Sequence, residues 1–273
     1  MSRELQISAY DRGLHYGDGL FETIVCLRGR PRFLREHLER LAQGCARLGI
    51  ALRTPASLGA QVMGAAAHGE DCIVKLIVTR GATAERGYRV PRALDPTVLV
   101  LRYPYRAPEA SLIETGMRVR LGSLRLSESE RLAGMKHLNR LEQVLAREEW
   151  SDPAIGESLL ASRSGELISG TMSNVFIVRN DILETPLLAL CGVRGIMRGM
   201  VLRRARTAGI ETRERAMPWS ENERIGECFL TSSVLGICPV RELDGRPLAV
   251  GALTRRLQAL MAPLLTNEGG EDG

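Results

Sequence analysis

The sequence predicts an α+β protein of two domains. Three features predict it: a one-sided amphipathic helix among short β-branched runs, a proline-bearing polar stretch near residue 106, and a second series of strand-like runs beyond it. Residues 33–48 place Leu34, Leu38, Leu41, Cys45 and Leu48 at spacings of four and three, which makes one helix face apolar, and Gly49 closes the helix. "CIVKLIVT" (72–79) and "TVLVLR" (97–102) are apolar, β-branched and of strand length, so an α/β layer is expected over residues 1–106. "YPYRAPEASLIETG" (103–116) gathers prolines, polar residues and a closing glycine, and reads as the linker. After it "MRVRL" alternates, and "ESLLAS", "NVFIV" and "CFLTSSVLGI" continue as strands. With helices expected at about 138–149 and 195–208, residues 107–273 form a C-terminal domain with a barrel-like β core that carries the chain's second lysine. The polar end "TNEGGEDG" (266–273) is expected to fray.

The composition narrows the function. With 44% hydrophobic and 25% charged residues the chain matches a globular protein, and no apolar run approaches the roughly 20 residues of a membrane helix, so no membrane partner is expected. The opening "MSRELQISAYDRG" lacks the apolar core of a secretory signal, which leads to a cytoplasmic expectation. Cys26, Cys45, Cys72, Cys191, Cys228 and Cys238 form neither a C-x-x-C pair nor a metal-ligand spacing; they read as small apolar residues, with no metal site. A net charge of +5 invites nucleic acid, but the arginines are scattered among 32 acids without a basic tail or interleaved aromatics. A small-molecule partner is the better expectation.

Of 37 basic residues only two are lysine, Lys75 and Lys136. Arginine keeps its proton at every physiological pH, whereas a lysine amine can lose it and attack a carbonyl carbon, so a lysine in an arginine-biased chain points toward chemistry. Lys75 lies inside a strand-like run, where a long stem commonly covers apolar surface. Lys136 follows Gly134 and Met135 and immediately precedes a helix whose first turn would be "HLNR", a strand-to-helix junction where side chains project into clefts.

"KHLNRLEQVLAR" (136–147) closely resembles the lysine segment of the 4-amino-4-deoxychorismate lyases. These are pyridoxal-phosphate enzymes of fold type IV, the group that also holds branched-chain and D-amino-acid aminotransferases. "DRGLHYGDGLFET" (11–23) resembles the group's N-terminal signature, "HLERL" (37–41) its arginine-bearing helix and "GTMSNVF" (170–176) its cofactor-lining turn. "GVRGIMR" (192–198) and "FLTSSVLGICPV" (229–240) resemble its phosphate-binding segments, and all these motifs stand in the group's order over nearly the whole chain.

The resemblance implies a two-domain fold type IV architecture, a homodimer and bound pyridoxal 5'-phosphate attached to Lys136. It implies phosphate contacts from Arg40, from the helix start at Gly195, Ile196 and Met197, and from Ser232 or Ser233, with Ser169, Ser173 and Asn174 in the turn beside the cofactor. The substrate of such a lyase carries two carboxylates, and the glycine-punctuated loop "TRGATAERGYR" (79–89) offers Arg80, Arg86 and Arg89, with His15 and Tyr16 as further lining. The implied activity is a step of folate biosynthesis: Lys136 removes a proton from the amine-bearing carbon, the enolpyruvyl group leaves, and 4-aminobenzoate and pyruvate result. An aminotransferase acting on D- or branched-chain amino acids is the alternative. One position departs from the group: "LISGT" places Ser169 where a glutamate usually holds the pyridine nitrogen protonated, which hurts a transaminase more than a lyase; Glu166 is the nearest acid that could stand in.

Overall fold

The computed structural model describes residues 6–52, 54–67, 69–91 and 94–266; the C-terminal positions expected to fray lie, from residue 267 on, outside the described residues. The chain divides into two units. The first holds the described residues up to Arg106 together with Met135–Asn139, and the second holds Ala107–Gly134 and the described residues from Arg140 on.

In the first unit, α1 (Arg12–Tyr16) starts where the Asp11 side chain accepts the Gly13 N–H, and it ends at Gly17, whose φ of 63° suits glycine. Then come β1 (Gly19–Leu27), β2 (Arg30–Pro31), α2 (Leu34–Leu48), α3 (Pro55–Ala66), β3 (Cys72–Thr79) and β4 (Thr97–Pro104). The four strands pair antiparallel in the order β2-β1-β3-β4. Alternation along β1 buries Leu20, Glu22 and Ile24 on one face, against which α2 packs. Gly44 of α2 makes that approach close, since a Cβ there would lie 2.9 Å from Leu20 Cδ1. The core stripe of α2 runs through His37, Leu41, Gly44 and Cys45, while Leu34, Leu38 and Leu48 are only half-buried. The predicted stripe is rotated because Glu22 draws His37 and Arg40 onto the same face.

The lysine segment corrects the sequence reading. Residues 135–139 do not open a helix but run extended beside β1: Phe21 N–H donates to Lys136 O at 3.0 Å, and Leu138 N–H to Gly19 O at 3.0 Å. Lys136 therefore belongs to the first unit, not to the C-terminal domain.

The second unit contains α4 (Ala110–Thr115), β5 (Met117–Leu126), α5 (Leu141–Arg147), β6 (Ile155–Ser162), β7 (Leu167–Gly170), β8 (Asn174–Arg179) and β9 (Ile182–Pro186). It continues with α6 (Ile196–Thr207), β10 (Thr212–Arg215), β11 (Glu227–Ser232), β12 (Gly236–Leu243), β13 (Arg246–Pro247) and α7 (Ala252–Leu265). The stretch read as a linker thus ends in a short helix. "CFLTSSVLGI" is two strands rather than one, because Ser232 Oγ accepts the Leu235 N–H at 3.1 Å and Gly236 turns the chain at a φ of 74°. The ladder runs β10-β9-β8-β11-β12-β5-β6-β7 with β13 beside β12, and its two ends meet in barrel-like fashion just beyond β10, where Leu167 N–H donates to Met217 O and Trp219 N–H to Gly165 O, both at 2.7 Å. Its inward side chains share one core: Val119, Leu159, Leu167, Ile177, Leu230 and Val240 come from six strands and meet in one cluster.

Candidate active site

Lys136 is half-buried, with Nζ 4.4 Å from the centroid of the Phe21 ring. Lys75 Nζ lies 5.2 Å from the same centroid. The register explains this: Thr23 faces Lys75 and Phe21 faces Ile77, so Phe21 and Lys75 are diagonal neighbours on one face of the sheet. The two lysines of the chain therefore occupy one place. On the opposite face, Glu22 takes Arg40 Nε at 2.8 Å and Arg40 Nη2 in a fork, and its Oε2 lies 2.6 Å from His37 Nδ1. Burial alone would raise the Glu22 carboxyl, but the Arg40 charge and the His37 hydrogen bond outweigh it and bring it down to about 2. His37 is held below its ordinary range by burial, with Arg40 and Lys136 adding to the effect and Glu22 opposing it. Arg40 is thus an oriented guanidinium on a buried carboxylate.

Arg80 also corrects an expectation. It is buried: Nε and Nη2 grip both oxygens of Asp18 at 2.7 and 2.9 Å, while Nη1 and Nη2 donate to Gly49 O and Leu48 O, both at 2.8 Å. Four of its N–H groups are engaged in tying β3 to the carbonyl end of α2, which makes it a structural clamp rather than a receiver of substrate carboxylate. Burial raises the Asp18 carboxyl, but Arg80 and Arg12 together hold it below its ordinary value. His15 is exposed, its Nε2 2.7 Å from Ala9 O, and it lines an open cleft with Tyr10, Arg12, Tyr16, Thr83 and Arg86. Arg89 is exposed on the same loop.

In the second unit, three distant segments come together. Asn174 starts β8, pairs with Thr231 of β11, donates from Nδ2 to Val193 O at 2.8 Å and accepts the Gly195 N–H at 3.1 Å. Gly195 is the N-cap of α6 and supplies no side chain, and a Cβ there would lie 2.1 Å from Asn174 Oδ1. The first N–H groups of α6, at Ile196 and Met197, have no intrahelical acceptor, and the positive end of the helix dipole adds to them. Beside them Thr231 Oγ1 is buried with no hydrogen-bond partner among the described residues, and the half-buried Ser232 and Ser233 follow it at the end of β11 and just beyond. Backbone donors and hydroxyls gathered this way suit an anion. Ser169 is buried and its Oγ donates to Gly170 O at 2.9 Å. Ser173 Oγ donates to Glu157 Oε2 at 3.0 Å. Glu166 lies half-buried at a bridge to Pro218.

The family model described as amino-transferase class IV matches residues 19–243. The chain belongs to that family. A solved structure of 4-amino-4-deoxychorismate lyase from Pseudomonas aeruginosa is similar at 41% identity and a TM-score of 0.92, covering 97% of each chain. An aminodeoxychorismate lyase of Vibrio harveyi is 30% identical over 91% of this chain and 93% of its own. A D-alanine aminotransferase of Bacillus licheniformis is 28% identical over 97% and 94%. The mixed architecture is that of fold type IV.

In this class IV chain, sequence reasoning missed two buried acids, Glu22 and Glu157. Glu22 was legible in the alternation of β1, since it stands between Leu20 and Ile24 on the inward face. Glu157 is buried and accepts Thr171 N–H at 3.0 Å, Thr171 Oγ1, Met172 N–H at 3.2 Å and Ser173 Oγ, so it shapes the turn at residues 170–174; an acid heading an apolar strand was the only signal. Lys75 was singled out by composition and then set aside. Among the described residues no group of side chains could hold a metal, and no helix is long and apolar enough to cross a membrane.

Proposed function

We propose that the chain is a pyridoxal-phosphate-dependent lyase that converts 4-amino-4-deoxychorismate to 4-aminobenzoate and pyruvate. The observation that carries this reading is the 41% identity to the P. aeruginosa lyase across 97% of both chains. The residues present fit the cofactor: the uncapped start of α6, the close approach at Gly195 and the orphaned Thr231 hydroxyl suit a phosphate. The residues that would hold it are Lys136 through its amine, Arg40, the backbone of Gly195, Ile196 and Met197, and Ser232 and Ser233. Ser169, Ser173 and Asn174 would line its ring.

When bound, the cofactor supplies an aldehyde for amines and a ring that withdraws electrons from the neighbouring carbon. Lys136 would hold the cofactor through its amine, and once the substrate's amine displaces it, its freed lone pair would take the proton from the amine-bearing carbon of the substrate. The enolpyruvyl group departs with the electron pair, and aromatisation of the ring drives the reaction forward. Lys75, Arg86, Arg89 and His15 receive or orient the carboxylates. Arg40 is aimed by Glu22 and so enters the site already oriented.

The protein works as a cytoplasmic homodimer on this reading. Leu141, Val144 and Leu145 support it, standing 76%, 55% and 60% exposed at helical spacing on α5. The likeness to a D-alanine aminotransferase favours amino-group transfer as the second reading, against which Ser169 counts. Incubation with aminodeoxychorismate tests the choice. Growth of 4-aminobenzoate fluorescence is expected, and silence accompanied by amino transfer to a keto acid favours the second reading.

A further inference from the structure

The loop after β3 has little to hold it. Among the described residues, Thr83 N–H donates to Tyr10 O at 3.2 Å and Glu85 N–H to Thr83 Oγ1 at 3.1 Å, and residues 84–90 are exposed. One buried side chain reaches it. Arg12, 4% exposed, donates from Nη1 to Gly87 O at 3.1 Å and from Nη2 to Tyr88 O at 3.4 Å. Its Nε is fixed by Asp18 Oδ2 at 2.9 Å, and its guanidinium lies 4.8 Å from the centroid of Tyr16, whose ring meets Tyr88 edge-on at 5.4 Å. The backbone of Arg12 is anchored as well: its N–H donates to Gly81 O at 3.0 Å, and Asp11 before it accepts the hydroxyls of Thr79 and Thr97. Gly87 turns at a φ of 96°, so the two carbonyls gripped by Arg12 sit at a bend that few other residues could form.

We propose that Arg12 is a positioning residue for substrate binding: it fixes the Gly87–Tyr88 turn and thereby the directions of Arg86 and Arg89 on either side. The part concerning what those two arginines receive rests on the lyase reading; the part concerning the loop does not. The job needs an arginine. A planar fork serves three acceptors at once, Asp18 and two carbonyls, while its face stacks on Tyr16; a lysine ammonium is one point and reaches only one of these places.

Arg12→Lys in the full cofactor-loaded protein is the test, because the charge beside Asp18 and Arg80 is kept. Trypsin cuts after arginine, so cleavage after Arg86 and Arg89 reports the loop directly. The expected result is cleavage there several-fold faster than in the parent, with an unchanged urea midpoint. KM for aminodeoxychorismate should rise by about tenfold, the effect of roughly one lost charge-assisted contact, with kcat nearly unchanged. In an Arg86→Gln background the same change should add little to KM, whereas a merely structural role would add its full effect. Unchanged cleavage overturns the proposal, and so does faster cleavage with an unchanged KM, or with the full rise in KM persisting in the Arg86→Gln background. If the parent itself makes no 4-aminobenzoate, the lyase reading fails and the cleavage rates alone decide whether Arg12 holds the loop. Arg12→Gln gives the same readouts if Arg12→Lys fails to fold.

Discussion

At Lys136 the proposed chemistry rests on the choice of residue type. Lys136→Ala removes both the anchor and the base, so turnover is expected to fall by at least a hundredfold to ten-thousandfold, the usual worth of a positioned base. Borohydride reduction followed by peptide mass analysis should find the cofactor on Lys136 in the parent and in Lys75→Arg; finding it on Lys75 would refute the assignment. Lys136 was legible because arginine holds nearly every other basic position. The nearness of Lys75 to Lys136 was not legible, since only the pairing of β1 with β3 reveals that both amines lie on Phe21. Arg80 looked free in a glycine-rich loop, since its acceptors, Asp18 and the end of α2, are distant in sequence. Ser169 gives a second prediction. Its hydroxyl proton goes to Gly170 O, so it presents no acid. Ser169→Glu should raise the ratio of amino transfer to elimination, read by product analysis, even if total rate falls; an unchanged ratio and an unchanged cofactor spectrum would remove Ser169 from that role.

Among the elements, β1 and α2 form the unit whose energetics can be titrated. Glu22 titrates near 2 in the fold against 4.5 when unfolded, a depressed value, so its contribution is complete above about pH 4.5 and lost as pH falls toward 2. The shift corresponds to about 3 kcal/mol. His37 is depressed too, so the unfolded chain binds its proton first and stability begins to decline below about pH 6.5. Urea midpoints measured against pH should therefore fall on the acid side, and Glu22→Gln should flatten the part between pH 4.5 and 2; an unaltered slope there would contradict the buried pair. β3 was read end to end because its apolar run is bounded by polar residues. Residues 135–139 were misread because their pattern runs on into α5, while the pairing that extends them comes from β1, a tertiary contact that local periodicity does not encode.

Across the whole molecule, the sequence carried the order of motifs and the α+β class, but neither the return of residues 135–139 to the first unit nor the strand order of the second. Both depend on pairings between segments far apart in the chain, as does the cluster of Asn174, Thr231 and Gly195 that suits a phosphate. Assembly yields a further prediction: sedimentation should give the mass of two chains, and Leu145→Glu, which puts a charge on the apolar face of α5, should shift the protein toward one. The lyase reading itself is tested most directly by following all products from aminodeoxychorismate with and without an added keto acid. The account predicts 4-aminobenzoate and pyruvate in equal amounts, formed at the same rate in both cases. A requirement for the keto acid, with its amino acid as the product and no pyruvate released, would contradict it.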